Sequence, residues 1–208
     1  MTDPTACSTV ADELARARAA ALRYPTPREA EAAGYYQVTP YVNGIGAHWI
    51  DTSLVDGTFD VDNPEMLLYD GNDKNASIIG LSYQIWKADG EPTVGFTGDN
   101  DHYHRHIGLC FNDEGMVIGD TTWTEERCAS VGGHKDNSGV NLWMSHAWVV
   151  PGFESPWWVF SAVNPQLDWE LWMNSGKPGS SGCGGSAIRD RYDRRPATRG
   201  DLASLKRW

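Results

Sequence analysis

No run of about 18 apolar residues occurs in this 208-residue sequence, so no membrane-spanning helix and no membrane partner are expected. Basic side chains are scarce where most of the chain lies. Residues 35–175 hold five of them against twenty acidic ones, a balance of −15 within an overall formal charge of −11. A body so poor in Lys and Arg is a weak ligand for phosphate backbones, which excludes nucleic acid as the main partner and suits a cation better. The four cysteines, Cys7, Cys110, Cys128 and Cys183, form no Cys-x-x-Cys pair, which excludes a zinc ribbon or a thioredoxin motif. The sequence also lacks a Gly-x-Ser-x-Gly elbow, a Walker A loop and a His-Glu-x-x-His helix. Gly44-x-Gly46 lacks the third glycine of a dinucleotide fingerprint and precedes a strand pattern. The first residues, Met1-Thr2-Asp3-Pro4, carry no positive leader, and Asp12, Glu13, Arg16 and Arg18 interrupt the next apolar stretch. The expected location is therefore cytoplasmic, with thiols reduced.

What is present is a globular composition, 40% hydrophobic and 11% aromatic with ten Trp, enough for one domain with a buried core. Thr9 and Asp12, with Val10, Leu14, Ala17 and Ala21 at helical spacing, predict a helix over about residues 10–23. Thr26-Pro27-Arg28-Glu29 supplies a capping Thr, a first-turn Pro and a third-position Glu, and Gly34 stops the short helix that follows. Beyond Gly34, short runs of Val, Ile, Tyr and Trp alternate with Gly, Asn, Asp and Pro, the texture of β-structure. Strands are expected at residues 35–39, 47–50, 65–69, 77–86, 102–109, 116–120, 142–150 and 159–161. The expected fold is mainly β, a sandwich or cupin-like barrel behind two N-terminal helices. It should form one metal-binding β-rich domain over residues 1–175. The Gly- and Ser-rich stretch from Gly176 reads as a flexible linker into a basic tail, residues 176–208, of balance +5.

The six histidines are His48, His102, His104, His106, His134 and His146. Alternation along a strand would turn His102, His104 and His106 to one face, where neutral imidazoles can share an ion. His48 and His146 each sit in an apolar, aromatic-rich strand pattern, where an imidazole is costly to bury without a partner. His134 lies in a Gly-rich loop pattern and reads as a solvated surface residue.

These histidines fall in short elements: Gly46-Ala47-His48-Trp49, the strand from Pro64 to Tyr69, Tyr103 to Cys110, and His146 to Pro165. In them the chain resembles a group of bacterial proteins of unassigned activity. That group shares a Gly-x-His-aromatic element, a Leu-Leu-Tyr strand, a His-x-His-x-x-Leu-Cys element and a His-Ala-Trp-Val-x-Pro-Gly segment. The resemblance covers about residues 20–167. It implies that His48, His104, His106 and His146 are the shared set, with His102 outside it. More weakly, Gly98 followed by His104-x-His106 and Cys110 is similar to the first cupin motif, with Cys in place of the usual Glu.

Imidazole-only ligation suits one transition-metal ion, copper or iron in preference and zinc as an alternative. The expected ligands are His48, His104, His106 and His146. His102, Cys110, Asp99, Asp101 and Glu154 are further ligands or supporting groups, and Trp49, Tyr103 and Trp148 are candidate walls of a substrate pocket. Cys110 and Cys128 leave three readings open: a thiolate ligand, a disulfide, or two small buried thiols, the last preferred in the cytoplasm. Together these point to a copper- or iron-dependent oxidase or oxygenase acting on a small organic substrate, with a non-catalytic copper- or zinc-binding protein as the alternative.

Overall fold

The structure is a computed structural model and describes residues 3–98, 102–168 and 170. Helix α1, Pro4–Leu22, opens with Asp3 as its cap, the Asp3 side chain accepting from Thr5 N–H, and with Pro at the first position. It therefore starts nearly two turns earlier than the Thr9 signal implies, because an Asp-Pro start also satisfies the free first-turn N–H groups. Helix α2, Pro27–Ala32, carries the full capping box between Thr26 and Glu29.

Five antiparallel strands form the larger sheet: β1 Tyr36–Gln37, β2 Ala47–Ile50, β3 Met66–Tyr69, β4 Ile78–Trp86 and, at the far edge, β8 Leu142–Ala147. A second, three-stranded sheet places β5 Leu109–Phe111 between β6 Val117–Gly119 and β7 His134–Asp136. The fold is mainly β, built from two antiparallel sheets. Among the described residues both sheets are open, and no barrel closes. Of the predicted strand over 102–109 only Leu109 enters a strand, as the start of β5; the rest makes a single bridge, between His104 and Met144 on the free edge of β8. The predicted strand over 159–161 is a turn that gives one carbonyl, Val159 O, to Trp148 N–H. Helix α3, Glu125–Ser130, and strand β7 were not anticipated; His134 nonetheless stays exposed.

The two faces of the large sheet differ in kind. One carries Trp49, Leu67, Tyr69, Leu81, Tyr83 and Ala147 and is covered by α1 through Val10, Ala17 and Ala21. Burial of this apolar surface is the main stabilising contribution, at roughly 25 cal/mol per Å2. The other face follows from the register His48–Leu68–Gly80 and Ser82–His146, so both histidines look away from the helices.

Cys110 on β5 and Cys128 on α3 are fully buried and joined as a disulfide, with Cα atoms 5.7 Å apart. Cys7 is disulfide-bonded as well. This corrects the expectation of reduced thiols and removes Cys110 from the set of metal ligands, because a disulfide sulfur is no thiolate. Val38 ties the sheets together: its N–H donates to His48 O, at 2.9 Å, and its carbonyl accepts from Val117 N–H, at 2.8 Å. No described helix is long and apolar enough to cross a membrane. The Gly- and Ser-rich linker and basic tail lie outside the described residues.

Candidate functional site

β2 is launched by a tight turn from Val42 to Gly46. Gly46 adopts φ +78°, and a Cβ there would lie 2.7 Å from Tyr69 O, so both backbone conformation and space require glycine two residues before His48. In a flat sheet, three strand steps from β2 to β8 would separate His48 from His146 by about 14 Å. Their Nε2 atoms are 3.4 Å apart. The sheet therefore curls around this face, and of the two strands between them β4 is low there because it presents Gly80 and Ser82. Trp148 fills the place of the missing Gly80 side chain: a Cβ on Gly80 would come within 2.9 Å of its ring.

Each imidazole of the pair is held from behind. His146 Nδ1 lies 2.7 Å from Ala162 O, so Nδ1 carries the proton and Nε2 presents a bare lone pair. His48 Nδ1 lies 3.1 Å from Thr39 Oγ1, which also accepts the His48 backbone N–H. The Thr39 hydroxyl allows either proton arrangement. If it donates to His48 Nδ1, His48 Nε2–H points at His146 and the pair is a long imidazole–imidazole hydrogen bond. If His48 Nδ1–H donates to it, two lone pairs face each other and need a cation between them. Nitrogen ligands about 2.0–2.1 Å from a tetrahedral ion stand about 3.3–3.4 Å from each other, which is the separation seen here.

From this pair a row of rings runs outwards. His104 lies 5.3 Å from His146 between centroids, His106 lies 5.2 Å from His104, and His102 stacks on His104 at 6.0 Å. Among the described residues no three His, Cys, Asp or Glu side chains converge on one point as the ligands of an ion would. His104 Nδ1 is nonetheless buried without a hydrogen-bond partner, and so, on the same sheet face, are Ser82 Oγ and Gln84 Oε1. Trp49 Nε1 and Ser145 Oγ, on the helix-covered face, are unpartnered as well, so these atoms alone do not mark the site. The residues fit a transition-metal ion in donor type, being imidazoles, and the two inner ones, His48 and His146, have their rear nitrogens anchored.

Burial also sets the charge state. It pushes His48 down to about 4, helped by His106 and His104, and His104 to about 4, helped by His106. His146 falls well below the ordinary histidine value, through burial and then through His48, and His106 is lowered by burial. All four are neutral at neutral pH, the form that ligates.

The remaining expected residues divide. Trp148 does flank the site, 5.5 Å from His146, with its Nε1–H donating to Ser161 O. Trp49 does not: strand alternation turns it to the helix-covered face, against Tyr69. Tyr103 is buried, its hydroxyl donating to Val94 O, and is an anchor for the His102–His104 segment. The Glu154 carboxylate accepts from Gly152 N–H and closes its own turn. Asp99 and Asp101 lie outside the described residues. Sequence reasoning missed Thr39 and Ala162, which orient the inner pair. Trp158, one of the aromatics that neighbour the histidines in sequence, has an exposed indole that meets His102 edge-on at 6.3 Å. Thr39 gave no signal, since its role depends on strand pairing across nine residues.

The fold and site define a mainly β protein with a buried histidine pair extended outwards by further imidazoles. No known family matches the chain, and neither the curated proteins nor the solved structures compared with it include a match.

Proposed function

We propose that this protein holds one transition-metal ion, copper or iron, on His48 and His146, with His104 and His106 completing the ligand set. The observation that carries the reading is the Nε2–Nε2 separation of 3.4 Å between two wholly buried, neutral rings, one of which has its lone pair fixed forwards. Such an ion would supply a centre for O2 chemistry, and the function would be oxidation or oxygenation of a small organic substrate. Here the chain's own residues have definite tasks. Ala162 O and Thr39 fix ring orientation, Trp148 excludes water from one side, and the half-exposed His104–His106 end leaves a side open to small molecules.

The second reading is a non-catalytic copper- or zinc-binding protein, favoured by the near-complete burial of the inner pair, which are 4% and 2% exposed. The buried disulfide weighs against the cytoplasm, because such bonds persist in oxidising compartments, so the proposed location is one of those.

Elemental analysis of the purified protein, before and after chelation and reconstitution, tests the reading. About one equivalent of copper or iron is expected, lost together with any turnover in His104→Ala. Zinc alone would turn the reading towards the non-catalytic role. A protein that takes up no metal would leave the histidine pair as a buried hydrogen bond and end the proposal.

A further inference from the structure

An ion destined for His48 and His146 has to reach two rings that solvent does not touch. A bare dication cannot cross a low-dielectric shell, because the desolvation cost is many kcal/mol, so its water ligands must be exchanged for protein ligands in steps. The rings are arranged for such a passage. His102 is exposed, His104 beneath it is half-buried, and His146 and His48 are buried, with successive centroid distances of 6.0, 5.3 and 5.6 Å. His102 and His104 are nearly parallel, 24° between planes. Trp158, 47% exposed, stands edge-on to His102 and limits how far that ring can swing from His104. His104 Nδ1 is buried without a hydrogen-bond partner, so in the tautomer with the proton on Nε2 it presents a lone pair to an ion.

We infer that His102 is the surface capture position for the metal, taking a hydrated divalent cation from solvent and passing it through His104 to the buried pair. This rests on the metal-binding reading above. His102 is thus a loading residue and no member of the final ligand set, and Trp158 is its positioning residue. The acidic body, with twenty acidic against five basic side chains over residues 35–175, raises the cation concentration around this position.

The test is stopped-flow uptake of Co2+ and of Cu2+ by metal-stripped full-length protein, followed by visible absorption, alongside equilibrium titration. For His102→Ala the uptake rate should fall by about tenfold or more, on the scale by which a local binding group raises on-rates, while stoichiometry and affinity stay those of the parent. Trp158→Ala should show a smaller slowing of the same kind. Because His102 is exposed, both variants should keep the parent far-ultraviolet circular dichroism. Uptake by His102→Ala at the parental rate would overturn the inference. So would loss of equilibrium binding, which would make His102 a ligand. If the parent binds neither ion, the metal-binding reading itself has failed, an outcome distinct from both.

Discussion

Glu65 is the buried carboxyl from which the sharpest stability prediction follows. It is 2% exposed, and burial pushes it from an ordinary 4.5 up to about 7, opposed in part by the Gln84 backbone N–H that donates to its Oε2 at 2.9 Å. Nearby Asp56 and Asp60 push the same way as burial. A carboxyl raised in the folded state leaves stability intact below its unfolded value. Stability then declines as pH rises from 4.5 to about 7, because the unfolded chain releases the proton first, and levels off above that. The gap between 4.5 and about 7 corresponds to about 3 kcal/mol. Glu65→Gln keeps the shape and an acceptor for the Gln84 N–H but cannot ionise. The assay is urea unfolding of both proteins between pH 4 and pH 8, taking the difference at each pH so that the imidazoles and other carboxylates cancel. The variant should equal the parent near pH 4 and exceed it by about 3 kcal/mol at pH 8. A difference independent of pH would show that Glu65 titrates alike in both states and would refute the reasoning.

Three further outcomes are expected. Replacing both Cys110 and Cys128 with Ala opens a closure of 18 residues, which should cost about 3 kcal/mol and lower Tm by about 6–12 °C under non-reducing conditions; a drop of a degree or less would mean that the denatured chain gains little freedom. Gly80→Ala drives a methyl against the Trp148 ring and should cost about 1–3 kcal/mol by thermal unfolding, while an unchanged Tm would mean that Trp148 has room to retreat. His146→Ala should abolish metal uptake and leave Cys110–Cys128 intact; retained uptake, read by elemental analysis, would move the site elsewhere.

Much of the scaffold was legible in the residues. Ala47–Ile50 and the capped helix after Thr26 match their predicted bounds, because strand alternation and capping chemistry are local. The helix start at Asp3-Pro4 carries the same kind of signal as Thr26-Pro27, a capping side chain followed by Pro, and it outweighs the Thr9 signal further on. The stretch from His102 to Gly108 alternates like a strand yet pairs only once, at His104, since strand formation depends on a partner edge that local sequence does not specify. Trp49 adjoins His48 in sequence, yet the two-residue repeat of the strand sends it to the opposite face. The meeting of His48 with His146 could be guessed from residue type alone. Their approach across β3 and β4 depends on sheet curl and on Gly80, which no local pattern announces.

Val38 gives the two sheets a mechanical relation. Its N–H holds the carbonyl of His48, and its own carbonyl holds the N–H of Val117 in β6, so one residue works as a pin through both sheets. β6 in turn pairs with β5, which the disulfide staples to α3. A tug on the small sheet is therefore felt, two hydrogen bonds away, at the backbone that aims the His48 ring. The disulfide thus staples a sheet whose edge strand is hydrogen-bonded, through Val38, to the carbonyl of His48.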